Sequence, residues 1–152
     1  MDRWLDDDEQ RAWRALQFMH LRLDAALARQ LAEDSELSYP DYLVLVALSD
    51  VPGHTLRLHA LAGTLGWEKS RASHQVSRME RRGLVAKARC DDDRRGAFVS
   101  MTDRGRDALA EAAPGHADAV RRLFLERLSA EQLEVLAGAA EAVLAGFEPP
   151  PA

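Results

Sequence analysis

Between Lys69 and Arg81 the sequence sets Lys69, Ser70, Arg71, Ser73, His74, Gln75, Ser77, Arg78 and Arg81 in one run. Each of these side chains can bond a phosphate oxygen or reach the edge of a base. Arginine suits guanine and glutamine suits adenine in a major groove. Ala72, Val76 and Met79 recur among them at four- and three-residue steps, which puts an apolar stripe on one side of a helix. Acids are nearly absent from the polar side, with Glu68 at its start and Glu80 near its end. An ordinary solvated face mixes both signs, so this one points to a polyanionic partner.

The overall charge of -5 looks wrong for such a partner, because phosphate attracts cations. Charge is distributed unevenly, however. From Trp67 to Arg95 nine basic residues face five acidic ones, an excess of four, so the remainder of the chain carries -9. A basic face on an acidic body gives that asymmetry. Other chemistries lack their residues. No Gly-x-Ser-x-Gly, phosphate-cradling loop or dinucleotide fingerprint occurs, so no enzyme is expected. His20, His54, His59, His74 and His116 are scattered without zinc spacing, and neither metal nor cofactor is expected. Cys90 stands alone and can form no internal disulfide. Arg89 favours its thiolate, but Asp91, Asp92 and Asp93 oppose ionisation, which argues against redox sensing.

The elements that carry these residues read as mainly α. Asp8 to Ala32 forms one long helix with Trp13, Leu16, His20, Leu23, Leu27 and Leu31 on a stripe. Ser38-Tyr39-Pro40-Asp41 opens a short apolar helix through Leu48, which Asp50-Val51-Pro52-Gly53 closes. Thr55 to Leu58 reads as a short strand. A helix from His59 to Leu65 stops at Gly66, and a second from Lys69 to Arg82 stops at Gly83. Two short helices around a glycine-containing turn form a helix-turn-helix. Leu84–Arg89 and Ala97–Met101 then read as two strands around a polar tip, Cys90 to Gly96, which is a two-stranded wing.

Thr102 caps a further helix to about Leu128, which Pro114-Gly115 is expected to bend or break. Ser129-Ala130-Glu131-Gln132 caps the last helix, which presents Leu133, Leu136, Ala137, Ala140, Val143, Leu144 and Phe147. The terminal stripes supply more apolar surface than the small lobe can cover, which predicts a two-fold dimer. No repeat or linker appears, so one domain is expected over 1–152. Its winged lobe spans about 38–102, and dimerisation helices span about 8–34 and 103–147. The acidic stretch Met1 to Glu9 has no apolar core, and no run reaches the roughly 18 apolar residues of a membrane span. These features predict a cytoplasmic protein without a membrane partner.

The run from Leu65-Gly66 through Ala72-Ser73-His74-Gln75-Val76-Ser77-Arg78-Met79-Glu80-Arg81-Arg82-Gly83-Leu84-Val85 resembles the helix-turn-helix of MarR-type regulators. The similarity continues through Asp92-Asp93-Arg94-Arg95-Gly96-Ala97-Phe98-Val99-Ser100-Met101-Thr102-Asp103-Arg104-Gly105, an Asp-Arg-rich tip, a strand and a Thr-x-x-Gly helix start. With the long first helix and two terminal helices, the resemblance spans nearly the whole chain. It implies a homodimeric repressor on double-stranded DNA of pseudo-palindromic sequence, with recognition helices in successive major grooves. Arg94 and Arg95 match the family's wing arginines, which enter the flanking minor groove, and Asp93 matches the acid that braces the wing. The departures are Asp91 and Asp92, which would sit near phosphate.

The resemblance also implies a small aromatic or phenolic effector held between the dimer helices and the lobe. Trp13, His20, Tyr39, Tyr42 and Trp67 are the candidates to line its pocket, although aromatics at helical spacing usually serve as core. A helical protein-interaction or small-molecule-binding module without DNA binding is the alternative. It explains the terminal helices, but not a basic face followed by a wing.

Overall fold

The computed structural model describes residues 4–90 and 93–147, and their side chains other than those of residues 90 and 93–95. Asp91 and Asp92, and the side chains of Cys90, Asp93, Arg94 and Arg95, lie outside the described residues. So do the thiol and wing-tip expectations that rest on them.

Six helices and three strands follow one another among the described residues: α1 (Asp7–Asp34), α2 (Tyr39–Ser49), β1 (Thr55–Arg57), α3 (Leu58–Leu65), α4 (Lys69–Arg81), β2 (Val85–Cys90), β3 (Asp93–Met101), α5 (Asp103–Leu123) and α6 (Ala130–Leu144). Local chemistry sets most of the boundaries. Asp6 accepts from the Glu9 amide and Glu9 accepts from the Asp6 amide, a capping box made of two acids at the positive end of the α1 dipole. Ser38 with Asp41, and Ser129 with Gln132, do the same for α2 and α6. Gly66 and Gly83 end α3 and α4 with φ of 62° and 76°, the left-handed conformation that a Cβ disfavours.

Leu31 of α1 meets Val44, Leu45 and Leu48 of α2, Leu61 of α3, Val76 and Met79 of α4, Val85 of β2 and Val99 of β3 in one core. That core sits under the helix-turn-helix rather than along α1. Of the α1 stripe only Leu27 and Leu31 are buried, and Trp13 and Leu16 stand exposed. No residue of α6 is buried.

Three expectations are corrected. The sheet has three antiparallel strands in the order β1-β3-β2, not the two of a simple wing. Thr55 pairs with Ser100 and Arg57 with Phe98, so β1 closes the free edge of β3 at its root. The strands also run further toward the tip than hydrophobicity indicated. The β2–β3 pairing continues past a shift in register between Arg89 and Cys90, and β3 begins at Asp93. Finally, α5 is continuous through Pro114, ends at Leu123 and is followed by a 3₁₀ turn over Leu125–Arg127. Proline removes one donor, but Ala112 and Ala119 are buried and Gly115 lies against Gln30, so small residues seat α5 closely on α1. That packing outweighs one lost bond of a 21-residue helix.

Candidate nucleic-acid interface

Helix α4 is held by its apolar stripe. Ala72, Val76 and Met79 are fully buried, which turns the other side of the helix outward. Lys69, Ser70, Arg71, His74 and Arg78 are exposed there, and Ser73 and Ser77 are half-buried between them. With Arg81, exposed in the last turn, eight of the nine α4 side chains named for nucleic-acid contact thus share one accessible face.

Gln75 is the exception. It is buried, and its amide nitrogen donates to Asp41 Oδ1 at 2.6 Å. The expectation that it lies off the buried stripe is therefore wrong. Asp41 itself is only 1% exposed, and its Oδ2 accepts from Arg82 Nη1 at 2.6 Å and from the Ser38 amide at 2.9 Å. Arg82 Nη2 goes on to the Glu36 carbonyl, and Arg104 pairs with the Glu36 carboxylate at 2.8 Å. A buried carboxylate needs such donors, because desolvation without them is costly.

The sheet is fastened beside α4 by two devices. Lys87 Nζ bonds Ser77 Oγ at 3.0 Å and lies 3.6 Å from Glu80, whose Oε1 also takes the Lys87 amide. The only acid near the end of the α4 face is thus paired with the root of β2. Thr102 Oγ1 donates to the Gly83 carbonyl at 2.6 Å and accepts from the Gly105 amide. A Cβ at Gly105 would fall on the Leu84 carbonyl oxygen. The Thr-x-x-Gly spacing thereby joins the end of α4, the end of β3 and the start of α5.

Two clefts flank α4. One of about 420 Å³ lies between its first turn and the sheet, lined by Leu58, His59, Lys69, Ser70, Ser73, Gly96 and Ala97. His59 lines it because the fold brings the start of α3 against the wing. Nothing local in the sequence signals that approach. Nearby, the Arg57 guanidinium covers Phe98 at 4.9 Å.

The second cleft, about 410 Å³, is lined by His20, Asp24, Tyr39, Pro40, Leu43, Leu65, Gly66, Trp67 and Arg71. Asp24 accepts from the Tyr39 hydroxyl at 3.5 Å and lies 3.3 Å from His20 Nε2. Burial pushes the Tyr39 hydroxyl above its ordinary pKa, and the Asp24 charge adds to that. Arg71 stacks over Trp67 at 4.5 Å, so one α4 cation belongs to both the outer face and this cleft. Of the five aromatic and histidine candidates, His20, Tyr39 and Trp67 meet here. Tyr42 does not line it; its ring packs on His116 at 4.3 Å, and burial raises its pKa. Trp13 does not line it either, and is exposed two turns earlier on α1.

Among the described residues no helix is long and apolar enough to cross a membrane. A family model described as the MarR family matches residues 35–96. The chain is 38% identical to the transcriptional regulator HosA of Escherichia coli over 108 residues, covering 71% of this chain and 78% of that one. It superposes with a TM-score of 0.87 on a MarR family transcriptional regulator from Streptomyces coelicolor solved in complex with DNA. Identity there is 38%, over 99% of this chain and 94% of the other. The PcaV regulator of the same organism, solved with its natural ligand, gives a TM-score of 0.69 at 26% identity, over 96% and 99% of the two chains.

Proposed function

The chain belongs to the MarR family of transcriptional regulators, and from that premise we propose that it binds double-stranded DNA through the outer face of α4. One observation carries this reading: a fully buried stripe backs a helix whose accessible side offers Lys69, Ser70, Arg71, Ser73, His74, Ser77 and Arg78, with Glu80 paired to Lys87 and Glu68 confined to the N-cap. Gln75 leaves the contact set and His59 joins it. Arg94 and Arg95, at the far end of the wing, reach the flanking minor groove, where A·T-rich sequence narrows the groove and deepens its negative potential.

The protein acts as a homodimer on a pseudo-palindromic operator, in the cytoplasm, and represses by occupying it; it is not an enzyme. Residues 1–152 work as one domain, with the winged lobe at about 38–102 between dimerisation helices at about 8–34 and 103–147. Support for the dimer comes from the bare apolar residues of α1 and α6, which a two-fold partner would cover. Selection of duplexes from a random library, followed by footprinting, tests the reading. The wild type should enrich a two-fold-symmetric sequence, and the Arg71→Ala, His74→Ala, Arg78→Ala variant should stay folded and enrich none. Equal enrichment by that variant would contradict it.

The cleft of His20, Tyr39, Trp67 and Arg71 favours a second element, a small aromatic effector stacked on Trp67. The solved complex of PcaV with its natural ligand is a precedent within the same fold. Aromatic acids screened by thermal shift should include one whose effect is lost in Trp67→Ala.

A further inference from the structure

The apolar stripe of α4 fixes which side of the helix faces inward, but resists small rolls and tilts only softly. Contacts of Ala72, Val76 and Met79 are non-directional, so they resist a small roll or shift less sharply than a directed bond does. Beside the exposed Lys87 bonds to Ser77 and Glu80, buried directed bonds come from one carboxylate. Asp41 Oδ1 takes the Gln75 amide in the middle of α4, and Oδ2 takes the Arg82 guanidinium at its C-terminal cap, both at 2.6 Å. Seven residues separate these donors, roughly 10 Å along a helix axis, so α4 is held at two points by a single group. That group is itself tied into the capping box of α2, where Oδ2 also accepts from the Ser38 amide and the Ser38 hydroxyl accepts from the Asp41 backbone amide.

We propose that Asp41 is the positioning residue of the interface: it sets the roll and tilt at which α4 enters a groove. This inference rests on the reading of α4 as the helix that contacts DNA. Burial of the group supports it. Removing a carboxylate with 1% exposure from water is unfavourable, and well-packed apolar residues in place of a whole buried polar pair often hold a fold equally well. The α2 capping box accounts for one of its bonds, and orientation of α4 accounts for the other two. Any roll of α4 breaks two charge-assisted bonds together and strands the charge.

The experiment uses the full chain, a duplex that the wild type selects from a random library, and an unrelated duplex of equal length. Gln75→Met removes the Asp41–Gln75 bond at nearly constant volume, and Asp41→Asn turns one acceptor oxygen into a donor, so the Gln75 or the Arg82 bond is lost. Asp41→Asn combined with Gln75→Glu restores a bond of reversed direction and the same net charge. Each single variant should lose about tenfold or more on the selected duplex, the scale of one base contact, and change little on the unrelated one. The exchanged pair should recover most of the difference.

Losses in step on both duplexes, or none on the selected one, in variants that melt cooperatively would overturn the role. If Asp41→Asn does not fold, Gln75→Met decides alone, since it leaves Asp41 with Arg82. A wild type that enriches no duplex overturns the DNA reading first, and the positioning role with it.

Discussion

Arg71 and Gln75 stand one turn apart on α4 and meet opposite fates, one outside over Trp67 and the other inside on Asp41. Residue type did not separate them, since both are polar and both suit base edges. Spacing did carry a signal: 72, 75, 76 and 79 form the pattern of a helical core stripe, and Gln75 lies within it. What no spacing shows is the partner, 34 residues earlier, that makes burial of an amide tolerable. His116 is legible only in part for the same reason. A lone histidine on α5 gives no hint that Tyr42 covers it, or that its Nδ1 is buried without a hydrogen-bond partner. Burial lowers its pKa below the ordinary value of 6.5. The unfolded chain therefore binds this proton before the folded one as pH falls, and stability present above that value declines below it. Thermal melting from pH 8 to 5 should show the decline, and His116→Phe should flatten that part of the profile. An identical profile in the variant would remove His116 as its source.

Elements were legible where their signals are local. Capping boxes at Ser38 and Ser129, the glycines that end α3 and α4, and the stripe of α4 all follow from residues within one turn. Departures arose where a distant partner decides. β1 belongs to the sheet because β3 offers it an edge, and α5 survives Pro114 because α1 lies alongside. The Thr102–Gly105 corner shows both kinds of information at once. Its helix start is a local cap, whereas the need for glycine comes from the Leu84 carbonyl in the turn between α4 and β2. Gly105→Ala should therefore force α5 away from the end of α4, at a cost of at least about 1–3 kcal/mol. Urea denaturation measures it, and a wild-type midpoint would show that the corner yields freely. Gly138, where a Cβ meets nothing within 4 Å, is the matched control.

At the scale of the whole molecule, the core occupies the winged lobe while Trp13, Leu16, Phe18 and Leu21 of α1 and Val135, Val143 and Leu144 of α6 remain in solvent. Periodicity found these stripes, but a stripe cannot tell a core from an interface. Under the proposed dimer they meet a second copy, and Phe18→Glu with Leu21→Glu should shift sedimentation from dimer to monomer at micromolar protein. A variant that still sediments as the wild type would place the interface elsewhere. The proposed dimer would also resolve the charge problem, with an acidic body held away from DNA and two basic faces turned toward it. Net charge then matters less than the number of cations that meet phosphate, and that number can be read from salt dependence. Affinity for the selected duplex, plotted as log affinity against log salt, should fall with a slope of about -0.9 for each phosphate neutralised. The wild type should give a steep line. The Lys69→Ala, Arg71→Ala, Arg78→Ala variant should give a clearly shallower one while remaining dimeric. A slope unchanged by the loss of all three cations would mean that α4 does not face the phosphates, and would contradict the assignment of this helix.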